Sequence, residues 1–167
     1  HCKSKDMIRW EYLPCALAPD TEYDGQGCFS GTAIEDGESH ILMYTSVLDK
    51  ELEDGKRLIR QTQSIARGDG KYYEKLDNNP VITADMLPKG SSKEDFRDPK
   101  IWKENGTYYA VVGSKDSEGE GQLALFSAKD LVSWKFEKIL DSGKGLYGTM
   151  WECPDFFPLQ GRQVLIV

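Results

Sequence analysis

A chain of 167 residues is long enough for one domain with a sizeable core. Its 21 basic and 28 acidic residues leave a net charge of −7, which argues against nucleic acid or an anionic membrane surface as the main partner. No apolar run reaches membrane-spanning length.

In chain order, Lys5-Asp6-Met7-Ile8-Arg9-Trp10 is the first copy of a repeat. It returns weakly as Gly68-Asp69-Gly70-Lys71-Tyr72-Tyr73 and clearly as Lys129-Asp130-Leu131-Val132-Ser133-Trp134. Each copy places an aromatic ring four residues after an Asp. The offsets are 63 residues (Asp6 to Asp69) and 61 (Asp69 to Asp130). A second ladder runs out of phase with the first. Phe29-Ser30-Gly31, Phe96-Arg97-Asp98-Pro99 and Trp151-Glu152-Cys153-Pro154 each open an element with an aromatic and a polar residue. Turns at Gly37, Gly106 and Gly161 follow, and then the apolar runs Ile41–Tyr44, Tyr108–Val112 and Val164–Val167. This pattern predicts three related hairpins.

After the Asn105-Gly106 turn come a polar loop over 114–121, an alternating strand over 122–127 and a fourth strand through Trp134–Ile139. Asn105-Gly106-Thr107 is formally a glycosylation sequon, but Asn-Gly between two strand runs reads better as a turn. Four strands in a unit of roughly sixty residues is the pattern of a β-propeller blade. Two blades fit at 28–78 and 95–140, preceded by the outer strand of one blade and followed by the first hairpin of another. The stretch 78–94, with Pro80 and Pro88, is predicted to be a long loop between blades.

The innermost strand of a propeller blade lines the central channel, so the second ladder would aim Ser30, Asp98 and Glu152 at one axis. Convergent carboxylates flanked by aromatics suit sugar binding and glycoside hydrolysis. Glu152 lies between a tryptophan and an apolar run. A carboxyl group desolvated there keeps its proton, as a general acid must. The competing reading is a buried Glu held by backbone donors; for Asp98 it is a strand-entry residue tied to Arg97 or to local backbone.

Other chemistries lack parts. His1 and His40 are poorly placed as a catalytic base, and no Walker loop occurs. Cys2, Cys15, Cys28 and Cys153 form no C-x-x-C pair, so no metal site is expected and no cofactor is needed. They read as scattered small apolar residues suited to a reducing compartment, which points to the cytoplasm.

The three ladder motifs, in that order, resemble those of glycoside hydrolase family 32, the invertases, sucrose-phosphate hydrolases and fructan hydrolases. The segment from Ser4-Lys5-Asp6 to Leu17-Ala18-Pro19-Asp20 also looks like the part that follows the family's first blade. The resemblance implies an all-β, five-bladed β-propeller, of which 1–167 would be a fragment of roughly two and a half to three blades. It implies retaining hydrolysis of terminal β-fructofuranosides, with Glu152 as acid/base and Asp98 stabilising the transition state. Phe29, Ser30 and Arg97 would bind substrate, a small carbohydrate. The family's nucleophile, the Asp of W-x-N-D-P-N-G, has no match here, so this chain alone is expected to be inactive. The C-terminal β-sandwich is expected to be absent, and open blade edges would favour self-association. Two alternatives stand beside this: a related propeller glycosidase acting on arabinosides or xylosides, and a non-catalytic carbohydrate-binding propeller.

Overall fold

The computed structural model describes residues 1–167. It contains twelve strands in four antiparallel sheets and one 3-10 turn, Ala84–Met86. A first hairpin pairs β1 (Cys2–Ser4) with β2 (Trp10–Tyr12). The first four-stranded sheet runs β3 (Gly27–Asp36), β4 (Ser39–Glu51), β5 (Arg57–Gly68) and β6 (Tyr73–Lys75) in simple up-and-down order. The second repeats that order with β7 (Phe96–Glu104), β8 (Thr107–Lys115), β9 (Gly121–Ala128) and β10 (Lys135–Ser142). A closing hairpin joins β11 (Asp155–Leu159) to β12 (Arg162–Ile166). These are the blades of a partial β-propeller, two complete and two represented by a hairpin.

Both sequence ladders have a structural cause. The repeated Asp residues sit between the last two strands of successive blades, and each caps its turn. Oδ1 of Asp6 accepts the amides of Ile8 and Arg9, Oδ1 of Asp69 those of Lys71 and Tyr72, and Oδ1 of Asp130 those of Val132 and Ser133. The hairpins of the second ladder close on tight turns. Asn105-Gly106 and Gln160-Gly161 have positive φ at both positions, as a type I′ turn needs, while the first turn has Gly37 at φ 63°.

Two expectations need correction. The chain's start forms a two-stranded hairpin, one strand more than predicted. Of the two repeat tryptophans read as packing residues, Trp134 is buried but Trp10 is half-exposed. The long connection before β7 is a loop between the two complete blades, as expected, and it is packed inward: Val81, Ile82, Ala84 and Leu87 are buried, and Ile82 bridges Gln63 of β5. They join Ile41, Met43, Ile65, Phe96, Ile101 and Phe126 in one core between the two complete blades. Pro and Gly-Ser composition concealed these buried apolar side chains.

Candidate active site

At the start of each inner strand the ladder becomes irregular. The register shifts between Phe29 and Gly31 on β3, and between Arg97 and Lys100 on β7. Such bulges re-aim side chains. Asp98 has φ 63° and Cys153 φ 48°, both immediately before a proline. Pro99 and Pro154 disfavour right-handed helical backbone at the residue before them, and left-handed geometry is uncommon for a non-glycine residue. Gly31 has a steric reason to be glycine, since a Cβ there would stand 1.9 Å from the Met43 carbonyl oxygen.

These kinks bring Ser30, Asp98, Cys153 and Pro154 into one cleft of about 220 Å³, together with Lys100 and Asp155. Asp98 is 7% exposed. Its Oδ2 accepts the Cys153 amide at 3.0 Å and the Cys153 thiol at 3.6 Å, and its Oδ1 has no protein donor. Its own amide donates to Thr45 Oγ1 at 2.9 Å. Burial, and then the Asp98 charge, push the Cys153 thiol above its ordinary pKa.

The residue that converges with Ser30 and Asp98 is thus Cys153, not Glu152. The motifs align as Phe96-Arg97-Asp98-Pro99 over Trp151-Glu152-Cys153-Pro154, so Glu152 matches Arg97, one step toward the rim. There the two meet: Arg97 Nε and Nη2 lie 2.9 and 2.8 Å from Glu152 Oε1. The Glu152 side chain is 58% exposed, so the expected desolvation against aromatic rings is absent. Trp151 turns the other way, buried with Val111 and Leu123, its indole N–H donating to the Tyr147 carbonyl at 2.9 Å. Trp151 and Glu152 both precede β11, in an irregular segment where one side chain turns to the interior and the next to the rim.

Arg97 is held from behind as well. Nη1 donates to Gln61 Oε1 at 3.1 Å and to Asp95 Oδ1 at 3.0 Å. Burial works against its charge, but hydrogen bonds to Asp95 and Glu152 outweigh it and raise its pKa. Lys100 pairs with Asp155 at 2.8 Å, a second ion pair between the same two blades. Phe29 is half-exposed beside Ser30. Sequence reading missed Gln61, Gln63, Thr45 and Asp95, polar residues with no motif of their own. Gln61 and Gln63 lie in β5, a strand rich in polar residues, where nothing set them apart.

The cysteines correct another expectation. All four are free thiols, but Cys2, Cys15 and Cys153 are exposed. No group of three or more His, Cys, Asp or Glu side chains is placed to hold a metal ion. No helix is long and apolar enough to cross a membrane.

The profile of the family described as "Glycosyl hydrolases family 32 N-terminal domain" matches residues 1–167. The chain is 38% identical to the sucrose-6-phosphate hydrolase of Escherichia coli, covering 99% of this chain and 34% of that protein. It is 38% identical to the raffinose invertase of the same species, over 94% of this chain and 32% of that one. The chain therefore spans about a third of the length of these curated relatives. Among solved structures, the Bombyx mori GH32 beta-fructofuranosidase in complex with sucrose aligns with a TM-score of 0.83 at 37% identity, over 99% of this chain and 33% of that one. A GH43 beta-xylosidase/alpha-arabinofuranosidase from a compost metagenome aligns at 0.60 and 12% identity over 90% of this chain and 44% of that one, a likeness of fold alone.

Proposed function

The chain belongs to glycoside hydrolase family 32, and from that membership we propose that the whole protein hydrolyses terminal β-fructofuranosides, sucrose or sucrose 6-phosphate, with retention of configuration. The observation that carries this reading is the convergence of three distant inner-strand motifs on one cleft, with Glu152 gripped at its rim by Arg97.

Both Arg97 contacts go to Oε1 of Glu152, which leaves Oε2 free to face a leaving group. Glu152 donates its proton to the glycosidic oxygen from Oε2 and later takes one from the attacking water. Substrate entering the cleft excludes water from the carboxyl and so supplies the desolvation that its exposed position does not. Asp98, with Oδ2 fixed by the Cys153 amide, presents Oδ1 to the fructosyl hydroxyls as oxocarbenium character develops. Ser30 and Phe29 line the sugar's approach, and Arg97 orients the acid. The retaining route needs a carboxylate nucleophile. We assign it to a part of the whole protein outside these 167 residues, and the propeller to five blades. The 167 residues alone are then inactive.

The test is to incubate full-length protein with sucrose, sucrose 6-phosphate and aryl arabinoside and xyloside, following the anomer of the released sugar by NMR. Release of β-fructose before mutarotation is expected. Cleavage of the arabinoside or xyloside alone, or binding of sugar without turnover, would contradict the proposal.

A further inference from the structure

Gln61 stands outside every motif, yet it holds the group that holds Glu152. It lies on β5, paired with Val47 of β4, and is 9% exposed. Its Oε1 accepts two hydrogen bonds, from the Phe96 amide and from Arg97 Nη1, each at 3.1 Å. Both partners are donors, so the amide can be oriented only one way. One oxygen thereby ties the start of β7 to the far edge of the guanidinium. The opposite edge, Nε and Nη2, is what meets Glu152. A guanidinium is a rigid fork, so fixing one edge fixes the direction of the other.

The remaining anchor of Nη1, Asp95, cannot do this alone. Asp95 stands just before β7 and shares its carboxylate with Lys115 at 3.0 Å and the Ser92 hydroxyl at 3.4 Å. Gln61 belongs to a buried strand in the middle of the preceding blade. Two residues along that strand, Gln63 donates from Nε2 to the Phe96 carbonyl at 2.8 Å and accepts from Thr45 Oγ1 at 2.9 Å. The two glutamines thus clamp both polar groups of the Phe96 backbone.

We infer that Gln61 is a positioning residue for the acid/base, acting through Arg97 from the neighbouring blade to set the direction of the Glu152 carboxyl. The inference rests on the acid/base role proposed above for Glu152. A misplacement of about 1 Å at a reacting group can cost on the order of a hundredfold in rate. The loss should fall on substrates whose leaving group needs a proton.

The experiment compares kcat on sucrose with kcat on β-fructosyl fluoride, whose leaving group needs little protonation, in full-length enzyme. Gln61→Met is expected to slow sucrose about tenfold or more while fluoride stays within about threefold. Gln61→Glu, with an acceptor oxygen of the same reach, is expected to restore the wild-type ratio. If the Met variant does not fold, Gln61→Asn, which retracts the amide, should show the same selective loss. Equal slowing on both substrates, or no slowing, overturns the inference. Glu152→Gln is run in parallel. Selectivity there but not at Gln61 overturns this inference alone, and its absence at Glu152 overturns the acid/base assignment together with this inference.

Discussion

The two junctions flanking the second blade differ in their balance of apolar contact and charge. Toward the first blade the contact is buried. Phe96 and Ile101 are fully enclosed with Ile41, Met43 and Ile65, most of the polar contacts are neutral hydrogen bonds, and one ion pair, Lys103 with Asp36, sits at the edge. Thr32 Oγ1 accepts the Ile101 amide and donates to the Pro99 carbonyl, while Thr45 and Gln63 hold Asp98 and Phe96. Toward the closing hairpin Trp102, Phe156 and Leu165 pack against the buried Val111, Leu123 and Trp151, and the ion pairs of Arg97 with Glu152 and Lys100 with Asp155 lie at the rim. The first junction makes a rigid floor for Asp98. The second places Glu152 at the exposed rim, held by Arg97.

The contrast breaks most visibly through the core. Phe96→Ala should cost about 3–5 kcal/mol in denaturant unfolding of the full-length protein, because a fully buried ring leaves a cavity between the blades. A cost below about 1 kcal/mol would mean that the first junction is not the rigid one. Thr45→Val keeps the shape but orphans the Asp98 amide, and should cost about 1–3 kcal/mol and lower kcat on every β-fructoside alike. Lys100→Met removes an exposed ion pair and should change stability by no more than about 1 kcal/mol. A larger loss would show that the second junction depends on its charges.

Acid sharpens the comparison from another side. Asp24 is fully buried ahead of β3, where it accepts from Thr21, Tyr44 and Lys75. Burial alone would raise its pKa, but hydrogen bonds from Lys75 and Thr21 outweigh that and lower it. A depressed folded pKa gives stability that is present above the unfolded value, about 4, and is lost as pH falls through the folded one. Hydrogen exchange around residues 18–28 should therefore accelerate only below about pH 4. In Asp24→Asn that acid step should disappear; persistence of the step would assign it to another group.

The β class, the blade repeat and the three converging strands were legible because each rests on local signals. Asp69 and Asp130 cap their own turns, and Asn105-Gly106 sets a hairpin. What escaped was whatever depended on contacts between blades. Nothing local to Trp151-Glu152 says that the tryptophan takes the interior and the carboxylate the water. Arg97, fifty-five positions earlier, draws the carboxyl outward. The offset between Glu152 and Cys153 in the cleft arises likewise, from a one-residue phase visible once the kinks at Asp98 and Cys153 are seen to match.

We propose this exposed, arginine-held carboxyl as the acid/base of a β-fructofuranosidase. Full-length Glu152→Gln, assayed on sucrose and on β-fructosyl fluoride, tests it most directly. The expected result is a loss of about 10²–10⁴ in kcat on sucrose with fluoride turnover largely kept. Near-normal sucrose turnover, or equal loss on both substrates, would contradict it.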